Sequence, residues 1–159
     1  MNELLKLLKQ NALESPENMA KILGISVDDV KQKIAEYEKE GVIRAYQAVV
    51  NEEKLDTSLV TTVIEVKVTP ESEGGFDRIA TRISKFPEVE SVFLMSGTFD
   101  LLLFIKGRTM HEAAGFVSEK LATMPGVAST ATHFMMKTYK QNGILMQTRD
   151  DNERLKVSP

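Results

Sequence analysis

The chain has 159 residues, 42% of them hydrophobic and 27% charged, with a formal net charge of −3; this is a folded composition, long enough for one ordinary domain or two small ones. It has no cysteine, which excludes disulfides, thiolate metal sites and cysteine nucleophiles, and its two histidines, His111 and His133, lack the spacing of a paired metal site. The slightly acidic balance excludes a general cationic surface, no apolar run is long enough to span a bilayer, and the first twenty residues read as an amphipathic helix rather than a leader, so a cytoplasmic protein is expected.

The first third reads as helices. Leu4, Leu5, Leu8 and Ala12 recur at three- and four-residue spacing. Ser15-Pro16 is an N-cap followed by proline at the first helical position, and Met19, Ala20, Ile22 and Leu23 form the next apolar face up to Gly24. Ser26 caps a third helix, and Asp29 stands where a capping box needs an acid. Val30, Ile34 and Tyr37 are the stripe of that helix, which Gly41 ends. Val42 to Val50 is strand-like, and the polar stretch after it is the hinge. The expected division is a helical domain with its exit strand at 1–50, a linker at 51–58, a second domain at 59–140 and a tail at 141–159.

Beyond the hinge the pattern changes. Thr61 to Val68 alternates, with Ile64, Val66 and Val68 on one face and Glu65 and Lys67 on the other. Phe76, Ile79, Ala80 and Ile83 are helical, Val89–Ser96 and Phe99–Lys106 are strands around a turn at Gly97, Ala114 to Met124 is helical, and Val127–Tyr139 is a last strand. Phe86-Pro87-Glu88-Val89 resembles Met124-Pro125-Gly126-Val127, a helix stop followed by a strand start in both. The order β-α-β-β-α-β predicts a ferredoxin-like unit, a four-stranded antiparallel sheet with helices on one face. The run Leu101-Leu102-Leu103-Phe104-Ile105 is apolar on both faces, so both faces need cover, and a second copy of the chain is the simplest cover for the side without helices.

Ala20, Gly24 and Val30 have the spacing of a helix-turn-helix: a small residue for close helix approach, a glycine for the turn, and a valine that packs the second helix on the first. Such a second helix enters the major groove. It would expose Ser26, Val27, Asp28, Lys31, Gln32 and Lys33, with the lysines on phosphates and Gln32 on an adenine edge. Residues 1–50 carry seven Lys/Arg against eight Asp/Glu, so each copy would bind weakly and several would have to act together.

Residues 17–51, and within them Tyr37-Glu38-Lys39-Glu40-Gly41-Val42-Ile43, resemble the DNA-binding half of the Lrp/AsnC (feast/famine) regulators. The second half is similar to that family's effector module at Ser96-Gly97-Thr98-Phe99-Asp100, at Pro125-Gly126-Val127 and at Thr130-x-Thr132. The chain departs from the family at Ser26-Val27-Asp28-Asp29, where Ser-Pro and arginines are usual. The resemblance implies an α+β protein with an N-terminal (winged) helix-turn-helix and a C-terminal ferredoxin-like βαββαβ domain for effector binding and oligomerisation. It also implies amino-acid sensing between subunits. Asp100 would meet the ammonium, while N–H groups at Gly97 and Thr98 and the hydroxyls of Thr130 and Thr132 would meet the carboxylate. The expected partners are double-stranded DNA, an amino-acid effector, and further copies in a homodimer that assembles to a higher oligomer, an octamer. Neither a cofactor nor a metal nor a catalytic residue is expected. Two other readings stay open, a sensor that no longer binds DNA and an enzyme resembling sirohaem decarboxylases.

Overall fold

The computed structural model describes residues 2–55, 59–69, 75–107 and 109–146. The chain divides into two compact units, Met1–Val49 and Val50–Pro159.

The first unit holds α1 (Glu3–Gln10), α2 (Pro16–Leu23) and α3 (Val27–Lys39). The side chains of Asn2, Ser15 and Ser26 accept the N–H groups of Leu4, Asn18 and Asp29, giving each helix start a partner for one of its orphan donors. Leu4, Leu8, Met19, Ala20 and Val30 are buried together, and Ile34, Tyr37 and Ile43 pack around them. Two residues expected on apolar faces lie outside: Ala12 follows the end of α1 and is exposed, and Ile22 is 57% exposed.

Among the described residues Val42 to Val50 makes no ladder, in contrast to the expected exit strand, and no β-wing accompanies the three helices. Its β-branched residues favour extended backbone, but a strand exists only when a neighbour supplies the opposing N–H and C=O groups. Val42, Tyr46, Val49 and Val50 are left exposed.

The expected linker at 51–58 starts as ordered chain. Glu52–Lys54 is a 3₁₀ turn, the Asn51 side chain donates to the Met146 carbonyl at 2.7 Å, and Glu52 pairs with Lys106 at 2.6 Å. Residues 56–58 lie outside the described part.

The second unit is a four-stranded antiparallel sheet, β1 (Val60–Val68), β2 (Val89–Leu94), β3 (Leu101–Gly107) and β4 (Val127–Phe134), in the order β2-β3-β1-β4. Ile64 and Val66 on β1 face Leu103 and Leu101 on β3, and these residues are buried with Ile79 and Ile83 of α4 (Gly75–Ile83) and with Ala113 of α5 (Met110–Gly115). α5 runs on into a π-helical segment, Phe116–Leu121, which adds Phe116 and Leu121 to the same core. Both helices therefore cover one face of the sheet.

The internal repeat is realised bond for bond. Phe86 N–H donates to Ile83 C=O and Val89 N–H to Phe86 C=O; Met124 N–H donates to Leu121 C=O and Val127 N–H to Met124 C=O. β4 ends at Phe134, short of the expected Tyr139. The expected tail begins instead with a hairpin, β5 (Lys140–Gln141) and β6 (Ile144–Leu145), turned on Asn142 and Gly143, both at positive φ. Residues 147–159, the rest of that tail, lie outside the described part.

Candidate functional site

Three places carry the candidate chemistry. The first is α3. Gly24 ends α2 in the left-handed region at φ 66°, and Ser26 opens α3 three residues after α2 stops. Ser26 Oγ accepts from Asp29 N–H at 3.0 Å and donates to Asp29 Oδ2 at 2.7 Å, while Ser26 N–H donates to the same carboxylate oxygen at 3.3 Å. This is a complete capping box, and the Ser26 hydroxyl holds the Asp29 carboxyl below the usual carboxylate range.

Lys31, Lys33 and Asp28 are exposed as expected, and so is Gln32, whose amide donates to Glu36 at 2.9 Å. Val27 departs from expectation: it is half-buried and packs on the three-helix core, because the first turn of α3 leans on α2.

The second place is the β2–β3 turn. Gly97 has φ 130°, and open space surrounds the position a Cβ would take. Met95 N–H donates to Asp100 C=O at 2.8 Å, and Asp100 N–H to Val66 C=O at 3.0 Å. Asp100 Oδ2 accepts Val68 N–H at 2.8 Å, and its Oδ1 lies 3.7 Å from Lys67 Nζ. Asp100 is thus first a clamp between the turn and the end of β1, with Oδ1 facing the Lys67 ammonium. No hydrogen bond among the described residues uses the N–H of Gly97 or Thr98, and both residues are exposed.

Thr130 and Thr132 stand opposite Val66 and Ile64, so their side chains point to the helix-covered face. Lys67, which Asp100 approaches, points the other way. The structure therefore groups Gly97, Thr98 and Asp100 at one end of the sheet and sets the two threonines apart from them. Spacing along the chain could not show this, because Asp100 and the threonines come from different strands.

The third place is a cleft of about 340 Å³ at the opposite end of the sheet, lined by Glu88, Lys106, His111, Phe116, Glu119 and Lys120. It is crossed by the Lys120–Glu88 ion pair, and the Lys120 ammonium lies 5.5 and 5.6 Å from the ring centroids of Phe86 and Phe116. The bond from Lys120 lowers the Glu88 carboxyl. Lys106 is raised by its bond to Glu52, opposed by partial burial and reinforced by Glu90 at 3.0 Å. Nothing in the sequence marks this pair, whose members are 32 residues apart. Among the described residues no cluster of His, Asp or Glu is placed to hold a metal, and no helix is long and apolar enough to cross a membrane.

Residues 61–145 match the profile of the Lrp/AsnC ligand binding domain. The chain is 48% identical to an uncharacterized HTH-type transcriptional regulator of Bacillus subtilis (strain 168), YugG, over 99% of this chain and 95% of that protein. It is 30% identical to the leucine-responsive regulatory protein of Escherichia coli (strain K12), over 93% of this chain and 90% of that one. A transcriptional regulator of Neisseria meningitidis solved in complex with L-Met has a TM-score of 0.69 at 23% identity, covering 87% of this chain and 88% of its own. A feast or famine regulatory protein of Mycobacterium tuberculosis complexed with L-methionine has a TM-score of 0.71 at 19% identity, covering 91% and 95%. At these identities the two structures report a shared fold.

Proposed function

The chain belongs to the Lrp/AsnC family of transcriptional regulators, and from that premise we propose a division of labour in which the three-helix unit grips double-stranded DNA and the sheet unit holds the effector. Its function is amino-acid-responsive control of transcription. In our reading α2, the turn at Gly24 and α3 are a helix-turn-helix, and α3 enters the major groove. The observation that carries this is the exposed stretch Lys31-Gln32-Lys33 on a helix whose other side is fixed by buried Val30. Asp29 keeps its negative charge, but its carboxylate is directed at the Ser26 hydroxyl and N–H as part of the cap of α3.

The effector reading centres on the Gly97–Asp100 turn. Asp100 Oδ1 takes the ammonium of an amino acid, and the N–H groups of Gly97 and Thr98 take its carboxylate. Thr130 and Thr132, on the other face, are left out of this site. Two copies pair and then assemble further, to the octamer the resemblance implies, so that several weak grips act on one duplex. The effector shifts this assembly by binding one arrangement better than another.

The test is a mobility-shift titration at several salt concentrations. Lys31→Ala together with Lys33→Ala should weaken binding and lower the salt slope by about one per lost phosphate contact. Unchanged binding by the double variant would remove α3 from the interface. Exposed Asp28 beside the groove-facing lysines favours one rival, a sensor that has given up DNA. No shift at low salt by an intact assembly would select it.

A further inference from the structure

The sheet face without helices carries an apolar patch, Val63, Phe93, Leu102, Phe104 and Ala131, with the ionisable pair Glu65 and His133 inside it and Lys67 and Lys106 at its ends. Glu65 stands on the central strand β1 between Leu102 of β3 and Ala131 of β4. Val63, Phe93 and Phe104 extend the apolar surface on the same face, and the two phenyl rings meet edge-on with centroids 6.1 Å apart. Among the described residues the ion-pair partner of Glu65 is His133 on β4, whose Nε2 lies 3.4 Å from Glu65 Oε1. The other charged groups on this side are engaged elsewhere. Lys67 faces Asp100 at 3.7 Å, and Lys106 is held by Glu52 at 2.6 Å and Glu90 at 3.0 Å. On this face β2 adds Ser91 and Phe93, and β4 adds Ser129 and Ala131, none of which titrates.

We infer that the Glu65–His133 pair makes the proposed closure of this face on a second copy of the chain proton-dependent. The inference rests on the proposed pairing of sheet units and deepens it by naming the groups that regulate it. An identical copy suits the face because each patch carries an acid and a base within an apolar surround, so a two-fold partner offers complementary charge as well as apolar area.

Closure removes water from Glu65. With His133 protonated, a neutralised pair is buried; with His133 neutral, a carboxylate is buried without a counter-charge, which costs far more. Assembly therefore takes up a proton at His133. It is tightest at pH values where free imidazole is already charged and weakens as pH rises through the imidazole range. The chain has only two histidines and no cysteine, so few groups can imitate this response between pH 6 and 8.

Sedimentation equilibrium of the full chain at fixed ionic strength, from pH 6 to 8, tests the inference. The dissociation constant should rise at least about tenfold over that range, the effect of one unit of differential proton affinity. His111→Gln should keep the rise. Glu65→Gln and His133→Gln, both conservative and on a partly exposed pair, should flatten it while the protein still associates. A flat profile for the unaltered chain, or a full rise in either pair variant, would overturn the proton dependence and leave the pairing standing. A monomer at every pH would overturn the pairing itself.

Discussion

Asp29 looks, in the sequence, like a liability for a helix meant to face phosphate. Its partners give it another role, because both its backbone N–H and its carboxylate are spent on Ser26. Ser26→Ala should cost the three-helix unit about 1 kcal/mol, readable as a lowered unfolding midpoint, since the start of α3 would lose its cap. Asp100 likewise acts on its own fold before it acts on a ligand. Asp100→Asn keeps an oxygen for the Val68 N–H and discards the charge. It should fold as the parent does yet lose the thermal upshift that an amino-acid effector confers; an upshift equal to the parent's would take Asp100 out of the site. Glu88 makes the stability of the sheet unit depend on pH. Its carboxyl is lowered by Lys120, so the pair contributes stability above the ordinary carboxylate range and loses it as pH falls through the lowered value. Glu88→Gln should therefore lose less stability than the parent between about pH 5 and 3 in denaturant titrations.

At the scale of elements, most of the fold was readable because most elements carry their own signals. The Ser15-Pro16 and Ser26 starts, the Gly24 stop and the paired helix-stop, strand-start repeat all lie in short stretches of chain. Gly24→Ala meets no clash but forces a side chain into the left-handed region, a cost of about 1 kcal/mol that thermal unfolding should register. Leu103 is fully buried between the sheet and its helices, and Leu103→Ala should cost roughly 2–5 kcal/mol in chemical unfolding. Two elements escaped for opposite reasons. The Asn142-Gly143 hairpin has an ordinary turn signal, but lies in a stretch whose polar composition reads as a tail, whereas the π-helical Phe116–Leu121 follows α5 with no residue that sets it apart from an ordinary helix. Val42 to Val50 has strand composition, but a ladder takes two segments and among the described residues none pairs with it.

For the molecule as a whole, the open sheet face is the feature with the widest consequence. Phe93, Leu102 and Phe104 give it the apolar character expected of a surface that another copy covers. Phe104→Asp leaves the helix-covered core untouched and should shift sedimentation toward the monomer. Weaker DNA binding should follow without any change on α3, because avidity is lost with assembly. A variant that sediments as the parent does would show that copies meet elsewhere.

The sequence by itself determined the class of each unit, the helix caps, the order of strands and helices, and the two-sided greasiness of β3. These depend on residue type and on spacings within single elements, where the backbone period dictates which side chains share a face. Only the tertiary structure decided that Asp100 is clamped to Val68, that Thr130 and Thr132 turn away from it, that Val27 packs half-buried against the core, and that Glu65 meets His133. Those facts depend on register between strands and on packing between helices distant in sequence, and a slip of one residue would send every side chain of a strand to the other face.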